Sequence, residues 1–397
     1  MPDYLNSSQA TALLGVSRAT LYAYVSRGLL HAHAADSPRE SRYLRDEVEQ
    51  LARQRGQGRK PRDVAQAALS WGLPVLESSI TLIEQGRLYY RGEDAADWAR
   101  SHTLEETAAL LWQCPVETAF AATGVESPAL LAEMQARMAG QSCEQTLLPL
   151  FTMASDDTAT AAWQQSPERL AAGCGALLRL LAACLLGTAP DPAPIHLQCA
   201  RTWGLDARGA DLVRAALVLC ADHELNASGF TARCVASTGA SLRAAVVGGL
   251  AALTGGRHGG TTARVEALCD ELGEVDTPAR LHQRLARGES LPGFGHDLYL
   301  EGDVRAALLL DMLPGHSTAA ALAAQVMTLT GQAPSVDFAL VAVRRHLRLP
   351  PGSAFGLFAL GRCAGWLAQA QEQRATRQII RPRAAYTGPR PARLARK

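Results

Sequence analysis

At 397 residues, with 39 Lys and Arg against 38 Asp and Glu, the chain carries a formal net charge of +1 and no global field that would draw it to nucleic acid. The length allows two or three domains with a full-sized core, and 48% apolar residues with only 5% aromatic ones favour Ala/Leu-rich helices. There is no N-terminal apolar leader and no charge-free apolar run long enough to span a bilayer, so no membrane partner is expected. Nine cysteines (114, 143, 174, 184, 199, 220, 234, 269 and 363) lack CxxC or metal-like spacing. They read as buried thiols of a reduced, cytoplasmic protein with no metal site.

Residues 1–56 read as a separate unit. Ser7 is a candidate N-cap for a helix over SQATALLG, Gly15-Val16 turns the chain, and Ser17 caps a second helix, SRATLYAYVSRG. Ala10, Leu13, Leu14, Val16, Leu21 and Val25 form its expected core. After a polar loop with Ser37-Pro38-Arg39, RYLRDEVEQLARQR predicts a short strand and a helix. The unit resembles a small winged helix-turn-helix of the MerR/excisionase type. That resemblance implies DNA contact through Arg18, Thr20 and Tyr22 in the major groove, with Arg39, Arg42 and Arg45 near phosphates. The local excess of base is small, so binding is expected to be weak and salt-sensitive; a protein-contact module is the other reading. Residues 57–71, beginning GQGRKPR, have linker composition.

The main body opens near residue 72 and passes LYYRG (88–92) and TLEETAALLW (103–112). Residues 114–200 predict Ala/Leu helices broken by Pro and Gly. No repeat is visible, and no strand besides the one near Arg42. The run LVRAALVLCA then meets Asp222-His223-Glu224, three ionisable groups that a packed interior tolerates only if they are paired. A helix from Ser241 to Leu253 is expected to stop at Gly255. Gly255, Gly256, Gly259 and Gly260 flank Arg257-His258 and allow sharp turns. The next helix starts at Thr261 or Thr262, so His258 precedes a helix N-terminus, whose dipole favours a neutral ring. Two structural histidines in a Gly-rich hairpin is the alternative.

Pro292-Gly293-Phe294-Gly295-His296 presents a third histidine from a loop, and Ser335-Val336-Asp337-Phe338 sets a lone carboxylate before an apolar run. Arg362 lies in GRCAGW and Arg381 in IIRPRAAY. In identity, order and spacing, ADHE, RHGG, GFGH, SVDF and these arginines resemble the citrate synthase family over roughly residues 72–390. The resemblance implies an all-α fold whose helical body begins near LYYRG, with a large domain (72–260 and 351–397) and a small inserted one (261–350). It also implies a cleft that closes on the diacid first and a homodimer whose C-terminal arm crosses to the partner. The implied reaction condenses acetyl-CoA (or propionyl-CoA) with oxaloacetate and hydrolyses the thioester, giving citrate (or 2-methylcitrate) and CoA. The acyl-CoA is a substrate, and no cofactor is implied.

A carboxylate of ordinary pKa is far too weak a base for a thioester methyl by itself; the family acts through a concerted pair. By motif match Asp337 is the base and His258 the donor to the thioester oxygen. His296 polarises the ketone, and His223 holds the same substrate. Arg305 in GDVRA, Arg362 and Arg381 supply planar, bidentate contacts to the carboxylates, Arg381 from across the dimer. Taken structurally, Arg362 is a surface charge on a helix and Arg381 part of a solvated tail. Three features depart from the family pattern. Asp297 and Leu300, followed by Glu301, stand where bacterial members carry basic residues near the CoA nucleotide. Thr261-Thr262 replaces Ala-Asn, and SVDFALV replaces NVDFYSG. They imply a divergent paralogue. The competing reading is a transcriptional regulator, a helix-turn-helix on a degenerate body that senses oxaloacetate, citrate or an acyl-CoA.

Overall fold

The computed structural model describes residues 4–26, 30–34, 41–45, 47–49, 51, 76–121, 127–273, 277–315, 317–384 and 386–389. Its contacts divide the chain into two units, Met1–Glu77 and Ser78–Lys397. The linker at 57–71 and Arg39 lie outside the described residues.

In the first unit, β1 (Tyr4–Asn6), β2 (His33–Ala34) and β3 (Ser41–Leu44) form an antiparallel sheet in the order β1-β3-β2, beside helices α1 (Ser7–Leu14) and α2 (Arg18–Ser26). The α1 cap is Asn6, not Ser7. Asn6 and Gln9 form a reciprocal capping box, because an amide one residue earlier satisfies two orphan donors at once. Gly15 closes α1 at φ 63°, and the Ser17 hydroxyl accepts from Thr20 N at the start of α2. Leu5, Ala10, Leu14, Leu21, Leu30, Tyr43, Val48 and Leu51 make the core, with Val16 and Val25 against it. Leu13, an expected core residue, is exposed.

The second unit begins with a hairpin, β4 (Thr81–Glu84) and β5 (Arg87–Tyr90), extended by β6 (Glu93–Asp94). LYYRG is therefore a strand and its turn, not the start of a helix. The turn residues Gln85 and Gly86 both have positive φ, the two-residue turn that matches strand twist. Sixteen helices follow among the described residues. The first are α3 (Ala95–Trp98), α4 (Leu104–Trp112), α5 (Val116–Ala119), α6 (Leu131–Arg137) and α7 (Cys143–Ala154). Next come α8 (Pro167–Leu186), α9 (Ile195–Trp203), α10 (Ala207–Leu219), α11 (Ala227–Ser237) and α12 (Leu242–Leu253). The last six are α13 (Thr261–Leu272), α14 (Thr277–Ala286), α15 (Val304–Asp311), α16 (Thr318–Thr330), α17 (Val336–His346) and α18 (Ser353–Thr376). This is the all-α body expected. One contiguous apolar core runs from Ile80 to Ala370. Helix α8 is long and apolar enough to cross a membrane, but most of it is buried in that core. Its buried Arg179 caps carbonyls of Phe120, Ala121 and Pro192. All nine cysteines are free, five of them buried.

Helix α18 is the axis of the core. It is buried along almost its whole length, and its glycines explain how. A Cβ at Gly361 would meet Leu217 O at 2.5 Å, and one at Gly365 would meet Ala221 O at 2.3 Å. Bare backbone at these two positions lets α18 lie directly on the end of α10 and the chain leading to His223. GRCAGW is thus a packing motif that carries Arg362 into the interior.

Candidate active site

Four stretches converge on the end of α10. The first is the loop after it. Asn226 caps α11 through Oδ1, which accepts from Ser228 N and Gly229 N, while its Nδ2 donates to His223 O at 3.1 Å. The cap of one helix therefore fixes the backbone that carries His223. Asp222 is wholly buried; its Oδ2 accepts from Thr81 Oγ1 at 2.6 Å and Gln369 Nε2 at 3.1 Å. The first strand of the body and α18 thereby pair one oxygen of Asp222, while its Oδ1 is buried without a hydrogen-bond partner.

The second stretch ends α12. Ser241 caps that helix, which stops at Thr254 in a right-handed conformation, not at a left-handed Gly255. None of the four flanking glycines has positive φ. Two are needed for closeness: a Cβ at Gly259 would lie 2.6 Å from Leu253 Cγ, and one at Gly260 2.7 Å from Thr254 O. The tight turn sets His258 with Nε2 2.7 Å from the buried Ser228 Oγ and its ring edge-on to Phe358 at 5.8 Å. Ser228 Oγ also lies 2.7 Å from Asn226 Oδ1, so one hydroxyl faces two partners. The amide oxygen can only accept, so the hydroxyl proton goes to Asn226 Oδ1 and His258 Nε2 donates to Ser228 Oγ. Burial first, then the Arg362 charge, hold His258 down to about 3. The ring is neutral as expected, with burial the leading cause.

The third and fourth stretches are zipped together. Ser335 N donates to Gly293 O, and Gly295 N to Ala333 O, both at 2.8 Å, around a bridge between Phe294 and Pro334. Motifs forty residues apart in sequence thus present His296 and Asp337 from adjoining loops. His296 Nδ1 accepts from Leu298 N at 3.2 Å. Burial and then Arg305 depress its pKa, so the neutral ring carries its proton on Nε2. Asp337 lies in the first turn of α17, with Ser335 Oγ donating to Oδ2 at 3.4 Å. Its Oδ1 is out of solvent without a hydrogen-bond partner. Burial raises this carboxyl to about 6 against the pull of Arg305.

Two of the three candidate arginines sit inside the cluster. Asp303 caps α15 and grips Arg305 at Nε (2.9 Å) and Nη2 (2.8 Å), while its Oδ2 also accepts from Val336 N at 3.0 Å. Burial pushes the Asp303 pKa up; the Arg305 charge and its hydrogen bonds outweigh this and leave it below normal. Arg362, 1% exposed, donates from Nε to Cys220 O at 2.7 Å and lies over Phe358 at 4.9 Å. Its Nη2 is buried without a partner, so the surface-charge reading of Arg362 fails. Burial, then Arg305 and Arg362, push the His223 pKa well below normal. His223 and His296 stand edge to face, 5.4 Å apart. Arg381 is exposed in irregular chain after α18, and no hydrogen bond among the described residues joins it to these groups.

Sequence reasoning missed Ser228, Tyr299 and Asp303. Each lies within three residues of a motif residue or its cap, in spacing that only the loops give meaning: Asp303 precedes Arg305 by two, and Tyr299 follows His296 by three. A hollow of about 670 Å³ lined by Arg91, Trp98, His102, Glu106 and Gln113 contains none of the three histidines. In the first unit, Arg18 and Tyr22 share an exposed face one turn apart on α2. Arg18 reaches Ser8 Oγ at 2.8 Å, and Thr20 turns back to the Ser17 cap at 2.9 Å. Arg42 is exposed on β3, opposite Asn6 and His33.

The fold and this cluster define a helical protein that buries guanidinium groups, neutral imidazoles and one basic carboxylate around the end of a core helix. The family model "Citrate synthase, C-terminal domain" matches residues 68–383, and "Helix-turn-helix domain" matches residues 4–56. The citrate synthase of Haloferax volcanii is 30% identical over 363 residues, 80% of this chain and 94% of that one. Citrate synthase 2 of Bacillus subtilis is 36% identical over 185 residues, 44% of this chain and 50% of that one. With several curated relatives, then, the match spans about half their length. The crystal structure of citrate synthase from Thermotoga maritima superimposes with a TM-score of 0.68 at 26% identity, covering 82% of this chain and 98% of that one. The chain belongs to the citrate synthase family.

Proposed function

We propose that the chain catalyses citrate synthase-type condensation of acetyl-CoA (or propionyl-CoA) with oxaloacetate, giving citrate (or 2-methylcitrate) and CoA. The observation that carries this reading is a pair of buried, unpartnered polar atoms among neutral imidazoles, the donor Arg362 Nη2 and the acceptor Asp337 Oδ1. Buried polar atoms are normally satisfied, and these two are the groups that a carboxylate and an acidic C–H would complete.

Arg305 and Arg362, with Arg381 from the partner of a homodimer, hold the two carboxylates. His296 donates from Nε2 to the ketone oxygen. Asp337 removes a proton from the thioester methyl as His258 donates to the oxygen that becomes enolate, the Ser228 hydroxyl turning from Asn226 Oδ1 to Nε2 so that the ring proton is held on Nδ1. The enol carbon attacks the ketone carbon, forming the C–C bond, and the former ketone oxygen takes a proton. Water then cleaves the thioester and releases the CoA thiol. A carboxyl raised to about 6 is a stronger base than an ordinary Asp and remains ionised at neutral pH. A body that only bound the diacid would need the arginines but no such base, which favours the enzyme over the regulator.

The inserted small domain, 261–350, moves against 72–260 and 351–397 to shut out water, and the reaction calls on no cofactor. Residues 4–51 contact DNA through Arg18, Tyr22 and Arg42. The test is thiol release from acetyl-, propionyl- and longer acyl-CoAs with oxaloacetate. Release that depends on oxaloacetate supports the reading; none with any donor overturns it.

A further inference from the structure

Tyr299 lies among the groups just assigned to the diacid and is none of them. It leaves the exposed stretch at Asp297, Leu300 and Glu301 and turns inward to 2% exposure. The turn is held by Tyr299 N donating to His296 O at 3.1 Å and Gly302 N donating to Tyr299 O at 3.0 Å. The ring stands 4.9 Å from that of His296 and 5.6 Å from that of His223, and Arg305 lies over it at 5.5 Å. Among the described residues its hydroxyl has one hydrogen-bond partner, His223 Nε2 at 2.9 Å.

The proton inventory decides the direction of that bond. A phenol has a single O–H, and a buried O–H that does not donate forfeits its hydrogen bond without water to replace it. No acceptor other than His223 Nε2 is within its reach among the described residues. His223 is ringed by Arg305, Arg362, His296 and His258, surroundings that exclude a cationic ring. A neutral imidazole has one bare nitrogen and one N–H. If the phenol donates to Nε2, the ring proton sits on Nδ1, which has no hydrogen-bond partner among the described residues. With Nε2 bare and Nδ1 protonated, His223 meets an anionic substrate as a donor; the opposite tautomer would meet it with a lone pair.

We propose that Tyr299 is a positioning residue for the diacid, fixing His223 as its Nδ1–H tautomer through the phenol O–H and seating the Arg305 guanidinium on its ring. The inference rests on the condensation reading for the identity of the diacid, though not for the tautomer itself.

The test uses the full chain and Tyr299→Phe, which keeps the ring and removes only the O–H. Ring ¹⁵N shifts of histidine-labelled protein, with the His223 signals identified by His223→Gln, show protonated Nδ1 and bare Nε2 in the parent. In Tyr299→Phe the proton moves to Nε2 or is shared between the two nitrogens. Oxaloacetate binding by calorimetry weakens on the order of tenfold, kcat at saturation stays close to the parent's, and KM for the acyl-CoA does not move. A parent His223 protonated at Nε2 overturns the proposal. So does a variant that binds oxaloacetate like the parent, or one whose affinity for both substrates falls with the tautomer unchanged. Absence of thiol release by the parent overturns the condensation reading instead, and the ¹⁵N shifts still decide the role of Tyr299.

Discussion

Replacing Asp337 with Asn removes the proposed base and relieves a strained ionisation. Raising the carboxyl from 3.8 to about 6 means that keeping it charged in the folded protein costs about 3 kcal/mol at neutral pH. The folded state binds the proton more tightly than the unfolded one. Stability is therefore greatest below about pH 4, falls as pH rises through the window from about 4 to 6, and stays at its lower value above. Asn has no charge to desolvate, but its amide puts a donor where Oδ1 had no partner, at a cost of about 1 kcal/mol. The net expectation at pH 7.5 is a gain of about 2 kcal/mol, read as a higher urea midpoint at unchanged slope. At pH 4 the gain vanishes and its sign reverses. Thiol release falls by about two to four orders of magnitude. Equal or lower stability of the variant at pH 7.5, or a gain that persists at pH 4, would refute the picture of a desolvated carboxylate at this position.

The same ionisation predicts an acidic limb in kcat/KM with an apparent pKa of about 6, since His258, held down to about 3, is already neutral there; a profile flat from pH 5 to 8 contradicts it. Ser228→Ala removes the hydroxyl at His258 Nε2 and is expected to lower kcat on the order of tenfold with KM for oxaloacetate little changed. The double variant Asp297→Arg, Leu300→Lys, two exposed positions, is expected to lower KM for acyl-CoA at low salt and lose that advantage at high salt; salt-independent KM values would show that the nucleotide does not approach this edge. A gel shift on the chain's own upstream DNA at low salt, abolished by Arg18→Ala with Tyr22→Ala, is expected if α2 enters the groove. An unshifted band assigns the first unit to protein contact.

The chemistry-bearing residues were legible in sequence because each sits in a short motif whose glycines or caps have a local cause. GFGH needs Gly293 and Gly295 at positive φ, and the interval between Gly361 and Gly365 announces a helix that must touch backbone. The all-α class followed from composition and helix signals. The hairpin at Thr81–Tyr90 was legible too, as four residues, a Gln-Gly turn and four more, but the family resemblance placed the start of a helical body there.

The order of residues supplies the set of groups: three histidines and one carboxylate on loops and helix ends, and the arginines, with Arg362 inside α18. Their protonation states come from how the chain folds back on itself. Proton placement and pKa depend on which distant segment closes over each group, and spacing along the chain does not encode that. Asp303 gripping Arg305, Leu298 N fixing His296 and Tyr299 reaching His223 arise where chain folds back on chain, and burial in the shared core then makes each of those contacts count.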